Sequence, residues 1–599
     1  MRIRRLVIKK FRAIRRLDVK LRPGLTCLIG ENNAGKTTVL HALRLVLDAN
    51  LPSNYRRLAR EDFAIGLDIS NPQQILIAVE LTDFKKRAEE EALVSEWAIA
   101  DDAAALCYRF RPSRAAREAL ADQTRLSGSL TIEDYEWELT GTGGRDPLKI
   151  RWDDDLSPRV SLDRLGAFHI TFLQALRDVE DDLRRTRFSP LTQLLDAARL
   201  DEAKKAKLLD QLKAANDEIR KDAVIKDLGA AIAESLAGTV GETFKLGVEL
   251  GIGDPTFASL ARSLVLLLTG RGMVDADPSR NGLGLNNVLY ISMLLEVFRR
   301  RTSLPNVAGQ LLLVEEPEAH LHPELQRIVF SGLQESGCQV IATTHSTHVT
   351  SLAPLRNIVV LTAGDNARTS STVPHEGCEL SESEESDLER YLDATRSTLL
   401  FARRVILVEG MSEVFLLPVM IKKIMNVDLQ KEGISVVAIH GTHFASYAKL
   451  FRSSGIEKKC VIVTDGDLAP SDGGEDPDDE GEAPELGNIM LGVLRRMEGK
   501  FLKVTNCDST FELALATKGN LAMFAAAAKE LGATVIATKL NRATHQPTSQ
   551  TDLAKLQQSV LRTAKRYGKA RFAQVASKHV HLAMDLPAYI REAVDWVRS

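Results

Sequence analysis

The first 50 residues change from one hydrophobic period to another. Short apolar runs at residues 6–8, 17–21 and 25–29 are separated by turn signals, which predicts strands. Between Lys36 and Leu47 the apolar residues instead recur every three or four positions, which predicts an amphipathic helix. The chain therefore begins with strands that lead through a glycine-containing loop into a helix.

The central part of the chain combines long helical patterns with isolated strands. Helix formers, charges and periodic leucines over residues 176–240 predict two or more long helices. The pattern fits a packed helical subdomain and a dimerisation hairpin equally well. Apolar runs at residues 311–314, 340–342 and 358–361 predict further strands of the first domain.

A second α/β pattern occupies the last third of the chain. It follows an acidic, serine-rich stretch, residues 379–389, which is the best candidate for an interdomain connection. Short β-branched runs at residues 405–408, 435–439 and 461–464 alternate with helical pattern. This alternation is typical of a parallel sheet with crossover helices.

Composition adds limits on the class of protein. The 599 residues are 44% apolar and 27% charged, as in ordinary globular chains, and about 150 residues per domain suggests roughly four domain-sized pieces. No apolar run is long enough to span a membrane, and the N-terminus lacks a signal-peptide pattern. Six scattered cysteines contain no CxxC pair. We expect a folded cytoplasmic protein without a membrane partner.

The charge is unevenly distributed. Lys and Arg total 78 and Asp and Glu total 81, so the net charge is −3, yet eight acids and no bases lie within residues 469–486. Without those acids the net charge would be +5. The first 22 residues carry ten bases against one acid, Asp18. These bases fit an exposed strand rim at least as well as a DNA contact.

The loop between the predicted strand and helix is a phosphate-binding motif. Residues 30–37, GENNAGKT, match GxxxxGK[ST] in the strand–loop–helix context that the motif requires. Backbone N–H groups and the helix N-terminus favour phosphates, Lys36 reaches the β/γ oxygens, and Thr37 offers a hydroxyl to Mg²⁺. The candidate ATP-binding residues of this loop are Gly30, Asn33, Gly35, Lys36, Thr37 and Thr38.

Acids and a histidine at later strand ends complete a candidate ATPase site. After a buried strand, Glu315 is predicted to bind the metal and Glu316 to act as the base that polarises water. His345 ends another strand and is a candidate sensor of the γ-phosphate, although a lone histidine is more often structural. A glycine- and asparagine-rich segment, residues 280–287, contains Asn286, a further candidate ATP ligand.

A second set of carboxylates follows the strands of the C-terminal pattern. Glu409 ends one strand, and Asp465 and Asp467 end another. Asp-Gly-Asp alone is usually a turn, but acids at matching strand ends repel each other unless a divalent cation neutralises them. Hard oxygen ligands favour Mg²⁺ or Mn²⁺ over zinc.

These motifs in this order resemble two known architectures. The phosphate loop, residues 281–287, Glu315 to Glu316 and His345 resemble an ABC-type ATPase of the RecF/SMC-like branch, although the signature segment departs from LSGGQ. Glu409, Asp465 and Asp467 resemble a Toprim site. Together they resemble the OLD (overcoming lysogenization defect) family of nucleases, which includes the Gabija antiphage nuclease subunit.

The resemblance implies an α/β fold in four sections. An ABC-type ATPase would occupy residues 1–170 and 261–395, with a helical dimerisation arm inserted at residues 171–260 and a Toprim domain at residues 396–599. Because such ATPases bind ATP between two heads, the resemblance also implies a homodimer or a higher homo-oligomer.

Further residues are assigned by resemblance alone. Glu413 and Glu512 match acids that complete a second metal shell, and Lys569 matches a lysine that stabilises transition-state charge. The segment at residues 173–183 also resembles a family segment near the arm. From the residues themselves, Glu512 and Lys569 fit surface ion pairs better, and only the resemblance favours a role in the site.

The leading functional hypothesis is an ATP-binding, metal-dependent DNA endonuclease or nickase in antiphage defence or DNA processing. One alternative is a non-catalytic SMC/RecF-like DNA clamp or sensor. The other is a Toprim strand-passing enzyme, although none of the eight tyrosines lies in a recognisable DNA-binding module. A helicase-like partner is known for some family members. The acidic insert after Asp467 is hypothesised to repel DNA until it is displaced.

Overall fold

The computed structural model describes most of the chain. The ranges outside the description are residues 125, 176–189, 198–200, 242–245, 252–255, 258, 261–263, 265, 271–272, 278–281, 302–306, 365–367, 393–394, 442 and 467–482. The chain divides into two compact units. The first unit comprises Met1–Leu173, Leu311–Pro317 and Gln339–Ser599, and the second comprises Gln174–Gln310 and Glu318–Cys338.

The described strands lie in four sheets. In chain order they are β1 Arg2–Phe11, β2 Ile14–Lys20, β3 Leu25–Gly30, β4 Ile75–Thr82, β5 Ala98–Ala100, β6 Ala103–Pro112, β7 Tyr135–Gly141, β8 Phe168–Leu173, β9 Leu268–Gly270, β10 Met273–Ala276, β11 Gly309–Glu315, β12 Gln339–Thr343, β13 Ile358–Gly364, β14 Arg368–Thr372, β15 Arg404–Val408, β16 Ile434–Ala438, β17 Cys460–Thr464 and β18 Leu502–Asn506.

The described helices occur in every section of the chain. They are α1 Lys36–Leu47, α2 Ser53–Arg56, α3 Ala88–Val94, α4 Arg114–Ala121, α5 Leu162–Leu165, α6 Pro190–Ala197, α7 Glu202–Lys221, α8 Ala223–Val240, α9 Leu283–Arg301, α10 Pro323–Gln334, α11 Thr347–Thr350, α12 Pro374–Gly377, α13 Glu382–Tyr391, α14 Thr398–Phe401, α15 Met411–Met425, α16 Phe444–Leu450, α17 Ala483–Arg496, α18 Phe511–Leu515, α19 Leu521–Glu530, α20 Thr534–His545, α21 Gln550–Tyr567, α22 Lys569–Ser577 and α23 Ala588–Arg598. Short 3-10 turns cover Arg60–Asp62, Ser95–Trp97, Ile132–Asp134, Leu355–Asn357 and Lys518–Asn520.

The N-terminal strands form an antiparallel sheet in the order β2-β1-β4-β6-β5, with β7 also paired to β6. Several basic side chains of β1 are held by acids within the same unit. Arg5 lies 2.7 Å from Asp18 and 2.9 Å from Glu80, and Arg2 lies 2.5 Å from Asp83. Arg2 and Arg5 are therefore neutralised within the fold, and the choice between a strand rim and a DNA contact for the other bases stays open.

The nucleotide-binding sheet is assembled from distant parts of the sequence. Its order is β14-β13-β3-β12-β11-β8, and β3 pairs in parallel with both β12 and β13. The three apolar runs predicted as strands of the first domain coincide with β11, β12 and β13, which confirms that prediction. The sheet places the carboxyl ends of β3, β11 and β12 at one edge, because all three run in the same direction.

The C-terminal sheet is fully parallel, in the order β16-β15-β17-β18, as the sequence predicted. Its strands are short and apolar on both faces, and helices cover them. The core below the sheet combines β15 and β17 with α15, α19 and the last three helices of the chain. This packing fixes the carboxyl edge of the sheet, where the predicted acids lie.

The second unit contains long helices. The prediction of two or more helices over residues 176–240 is confirmed by α7 and α8, while residues 176–189 lie outside the described residues. The segment 173–183 is therefore described only up to residue 175. Asp222 ends α7 and caps α8, so the two helices follow one another with a one-residue break.

The acidic, serine-rich stretch at residues 379–389 is mostly helical, and its role as an interdomain connection stays a prediction. Ser381 caps α13, and Ser381 and Glu384 form a reciprocal capping box. Leu388 is buried, and Glu384 lies 2.6 Å from Lys449. The polar composition reflects a capped surface helix that packs on its neighbours.

None of the described helices has the length and apolar character needed to cross a bilayer. All six cysteines are free thiols. The predicted four sections assign residues to kinds of domain, whereas the two units group residues that pack together. The four-section division therefore stays a prediction.

Candidate functional site

The phosphate loop connects β3 to α1. Gly35 occupies the N-cap of α1 with a positive φ of 95°, and Asn33 also has a positive φ of 64°. Gly30 has no room for a side chain, because an added Cβ would lie 2.2 Å from the carbonyl oxygen of Leu361. The helix predicted from Lys36 to Leu47 has those bounds in the structure, so the N-terminus of α1 faces the loop.

The loop borders a cavity of about 550 Å³. Lys36 Nζ donates to the carbonyl oxygens of Gly30 at 2.9 Å and Glu31 at 2.8 Å, which holds the ammonium inside the loop. Thr38 is buried on the first turn of α1, and Thr37 lines the cavity. The loop residues predicted to bind ATP are thus gathered at one edge of the sheet.

The two adjacent glutamates after β11 contact different groups. Thr37 Oγ1 donates to Glu315 Oε1, as expected for two groups that share a nucleotide-bound cation. Glu316 has a positive φ of 46°, and its backbone N–H donates to Thr343 O at 3.0 Å. This turn directs Glu316 into the cavity and Glu315 toward the loop hydroxyl.

His345 lies beside Glu316, with 3.6 Å between Nε2 and Oε1. Burial lowers the pKa of His345, and the Lys36 ammonium acts in the same direction, against the opposing effect of Glu316. The imidazole is therefore mainly neutral at pH 7, which suits hydrogen bonding to water or phosphate better than ion pairing.

Arg12 is a residue of this cavity that the sequence did not single out. It lies in the turn between β1 and β2, lines the cavity, and contacts Asp62 at 2.8 Å through Nε. Ile14, just after this turn, lies against Gly35, which brings the turn to the phosphate loop. The positive charge run of the N-terminus was the available signal, but it did not indicate which base approaches the loop.

The glycine- and asparagine-rich segment belongs to the second unit. Asn286 is buried in the first turn of α9, and Asn287 Nδ2 donates to Ala319 O at 3.1 Å. Asn281 lies outside the described residues. The nitrogen Nδ1 of His322 caps α10, in keeping with the structural role predicted for this histidine. The ATP contact of Asn286 stays a prediction.

The second group of acids lies at the carboxyl edge of the parallel sheet. Val408 pairs with Val463, so Glu409 and Asp465 directly follow the carboxyl ends of neighbouring parallel strands, offset by one residue. Glu413 is buried on the first turn of α15, and Glu512 is buried on the first turn of α18. Asp467 lies outside the described residues.

The carboxylates strongly influence one another. Burial raises the pKa of Glu413 to about 8, and the charges of Asp465, Glu409 and Glu512 act in the same direction. Burial, reinforced by the neighbouring acids, therefore favours the neutral form of Glu413, and a bound cation would favour the ionised form instead.

Lys569 meets these acids from the N-terminus of α22. Its Nζ lies 3.2 Å from Glu512 Oε2, while 42% of its side chain remains exposed. Burial lowers the pKa of Lys569, but Glu512, Asp465 and Glu409 together raise it above its ordinary value. The ammonium is therefore positive at neutral pH and stands between the acids and solvent.

Cys507 contacts Asp465, Tyr589 interacts electrostatically with both, and the sequence gave no sign of either. Cys507 Sγ lies 3.7 Å from Asp465 Oδ1 and 2.8 Å from Ser509 O. Burial raises the pKa of Tyr589 above its ordinary range, and Cys507 and Asp465 act in the same direction. A phenol held in its protonated form is a poor nucleophile, which disfavours Tyr589 as the tyrosine of a strand-passing enzyme.

Gly466, between the two predicted metal-binding aspartates, lies where the space is too small for a side chain. An added Cβ at Gly466 would lie 2.5 Å from the carbonyl oxygen of Cys507. The backbone after β17 therefore runs directly against the loop after β18, and only glycine fits there.

The donor set fits a hard divalent cation in chemistry and in position. The acids are oxygen ligands, they lie at a strand edge, and their mutual repulsion favours a bound cation. Within the described residues, no three Asp, Glu, His or Cys side chains already form a closed metal-binding group. The ion pair between Lys569 and Glu512 instead draws one of the acids toward an ammonium.

Family models match both halves of this arrangement. A model described as AAA ATPase domain matches residues 1–126 and 167–350, just over half of the chain. A model described as overcoming lysogenization defect protein-like, TOPRIM domain, matches residues 400–467. The chain belongs to the AAA ATPase family and carries an OLD-like Toprim domain. An ATPase domain followed by a Toprim domain, built on mixed α/β sheets, confirms the predicted fold class.

Several proteins that are similar to this chain are named as nucleases. It is 28% identical over 425 residues to the OLD nuclease of Thermus scotoductus, covering 68% of this chain and 71% of the relative. It is 26% identical over 247 residues to the endonuclease GajA of Bacillus cereus, covering 37% and 35%. The solved C-terminal region of the Burkholderia pseudomallei OLD protein is 25% identical, with a TM-score of 0.26, covering 33% of this chain and 98% of that structure.

The ATPase domain and the Toprim domain imply that this chain uses a nucleotide and a divalent metal. The roles of individual residues in the two sites stay predictions. The structure brings Glu409, Glu413, Asp465, Glu512 and Lys569 to one sheet edge, and it brings the phosphate loop, Glu315, Glu316 and His345 to another.

Proposed function

We propose that this chain is an ATP-binding, divalent-metal-dependent DNA endonuclease or nickase that hydrolyses phosphodiester bonds by a two-metal Toprim mechanism. As an AAA ATPase with an OLD-like Toprim domain, the chain is an ATPase and a DNA endonuclease. The observation that carries the proposed chemistry is the gathering of buried acids, opposed by one lysine, at the carboxyl edge of the parallel sheet.

In the Toprim site, Glu409, Asp465 and Asp467 would hold the first cation, and Glu413 and Glu512 would complete the shell of a second. Bound Mg²⁺ or Mn²⁺ supplies an activated water and neutralises charge on the scissile phosphate. Lys569 contributes an ammonium that is already poised beside Glu512 and can turn toward a phosphate oxygen. Cys507 contacts Asp465 through its thiol.

In the ATPase site, the loop amides, Lys36 and Thr37 would hold the phosphates and Glu315 would bind the nucleotide-associated Mg²⁺. Glu316 would take the proton from the attacking water, and neutral His345 would contact the γ-phosphate. Asn286 would act on the nucleotide of a second copy, so we also propose a homodimer or a higher homo-oligomer.

Plasmid cleavage tests this proposal. We expect the purified chain to convert supercoiled plasmid to open or linear DNA with Mg²⁺ or Mn²⁺, and Asp465→Ala to abolish the conversion. Glu457→Ala is the matched control, because this exposed acid lies before the other end of β17. ATP and the Glu316→Gln variant show whether the nucleotide drives or restrains cleavage. No cleavage with either metal would favour the clamp or sensor.

We also propose a role in antiphage defence, supported by the similarity to the endonuclease GajA. Cells that express the chain should then give fewer plaques than cells that express Asp465→Ala. Equal plaque counts across a panel of phages would leave DNA processing as the role. A helicase-like partner stays a prediction, testable by co-purification of the full chain from its host.

A further inference from the structure

The chain around Lys569 is unusually free of acids. Residues 553–584 contain seven Lys or Arg residues and no Asp or Glu, whereas the average acid content of the chain would give about four acids in a segment of this length. The structure forms most of this segment into α21 and α22. The positive charge is therefore concentrated on two consecutive helices.

The bases of α21 lie on its solvent side. The buried side consists of Leu556, Val560, Thr563 and Ala564. Arg562, Lys565 and Arg566 are exposed, and their spacing of three and four residues places them on one face of the helix. Arg571 continues the exposed positive surface on α22. We call Arg562, Lys565, Arg566 and Arg571 the basic face.

The basic face is not neutralised by neighbouring acids. Across the described part of the chain, no carboxylate lies within 4.0 Å of a nitrogen of its four side chains, whereas the bases that flank it are paired. Lys555 lies 3.8 Å from Asp552, and Lys578 lies 2.5 Å from Glu530. Exposed cations without carboxylate partners are available to an anionic ligand.

The two helices pack directly on the elements that carry the Toprim acids. Gln557 Nε2 on α21 donates to Leu513 O on α18 at 3.3 Å, one residue after Glu512. Helix α22 packs against α15, which carries Glu413. Lys569, at the junction of the two helices, contacts Glu512. The basic face therefore begins at the acid site and extends away from it.

We propose that the basic face binds the DNA backbone next to the cleavage site, with Lys569 at its inner end. This inference rests on the proposed nuclease function. Each DNA strand carries a phosphate about every 3.4 Å along the axis, so a strand whose scissile phosphate lies at Lys569 brings neighbouring phosphates to the helices beside it. Arginine and lysine on an exposed helix face supply sequence-independent contacts of this kind.

Salt-dependent DNA binding tests the inference. Binding of a short duplex to the full chain is measured in EDTA, which prevents cleavage, over a series of salt concentrations. Each lost phosphate contact reduces the slope of log K against log salt by about one, so Lys565→Gln/Arg566→Gln should reduce it by about two. We also expect about tenfold weaker binding near 0.1 M salt.

The matched control is Arg403→Gln/Lys431→Gln. These exposed bases lie next to the amino ends of β15 and β16, opposite the edge that carries the acids, so the control should keep the wild-type slope. An unchanged slope in Lys565→Gln/Arg566→Gln would overturn the inference and would assign the basic face to an acidic protein instead. If the slope falls but the wild type cleaves no plasmid, the basic face stands and the nuclease proposal fails.

Discussion

Two neighbouring glutamates illustrate how a single residue's backbone sets its chemistry. Glu315 ends β11 and accepts a hydrogen bond from Thr37, whereas Glu316, at a positive φ of 46°, turns toward His345. Because the two carboxylates reach different partners, exchanging one for an amide should affect one function without the other.

Glu316→Gln should therefore lower ATP turnover by about 10²-fold or more while ATP binding stays within about threefold, because the amide cannot accept the proton of water. Phosphate release and equilibrium binding of a fluorescent ATP analogue measure the two effects. Glu324→Gln, an exposed glutamate on α10, is the control. Turnover near the wild-type rate would remove Glu316 from the chemical step.

Lys458 is a buried cation outside both sites. Its side chain is 2% exposed, and Nζ donates to Leu400 O at 2.6 Å. Burial lowers the pKa of Lys458 to about 8 from its ordinary 10.5. Below pH 8 both the folded and the unfolded chain hold this proton, so the cost of burying the charge is constant. Between pH 8 and 10.5 the folded chain releases the proton first, which relieves that cost.

Replacement by methionine should expose this pH dependence. Relative to Lys458→Met, the wild-type free energy of unfolding should rise between pH 8 and 10.5 by an amount on the order of 3 kcal/mol. Urea unfolding at pH 7, 8.5 and 10 measures the difference, with Lys459→Met as the control for a lysine that keeps solvent contact. A difference that is the same at all three pH values would contradict a buried charged lysine.

At the scale of elements, the hydrophobic pattern and the turn residues predicted the helices and strands that local interactions determine. The strand–loop–helix around the phosphate loop and the parallel C-terminal strands follow from periodicity and turn residues, and α1 has its predicted bounds. The helix within residues 379–389 was not predicted, because the serines and acids of this stretch were counted as composition. Their positions form a capping box, which is a helix signal.

The stability of α13 should depend on that cap. Ser381→Ala removes the side-chain acceptor for Glu384 N–H and should lower the free energy of unfolding by about 1 kcal/mol. Ser383→Ala is the control, because an exposed serine inside the same helix becomes a better helix former. Chemical denaturation of both variants measures the contrast, and equal stability would show that the cap contributes nothing.

The residues of the candidate sites also differ in whether a local sequence pattern predicts them. Glu409 and Asp465 were predictable because each directly follows its own apolar strand, and parallel strands bring their ends together. Glu512 and Lys569 meet only because α18 and α22 pack at that edge, and no local pattern encodes such packing. Their assignment required a family resemblance. Arg12 was missed because its approach to the phosphate loop depends on a turn between two other strands.

At the scale of the whole molecule, the ATPase sheet and the Toprim sheet belong to one compact unit. Thr372 Oγ1, at the end of β14, donates to Gly455 O at 2.9 Å, and Lys449 on α16 pairs with Glu384 on α13. These contacts join elements of the nucleotide-binding part to elements of the C-terminal sheet. The nucleotide-binding part and the C-terminal part of this unit are therefore joined by direct side-chain contacts.

Net charge is the whole-molecule property that most directly affects DNA association. Seven acids lie between residues 472 and 482, just after Asp467 in the sequence. Their combined negative charge is larger in magnitude than the net charge of the whole chain, −3. Their exchange for Asn and Gln would leave the chain at +4. Like charges near a DNA-binding edge reduce the local concentration of DNA, and salt screens this repulsion over about 10 Å at 0.1 M.

The neutralised variant should therefore bind duplex DNA several-fold more tightly than the wild type near 0.05 M salt, and the advantage should shrink toward 0.5 M as the Debye length shortens. Fluorescence anisotropy in EDTA measures binding without cleavage, and plasmid conversion with Mg²⁺ should rise in parallel. An advantage that persists at high salt would point to a change of fold rather than of charge. Identical binding at low salt would show that these acids lie too far from bound DNA to repel it.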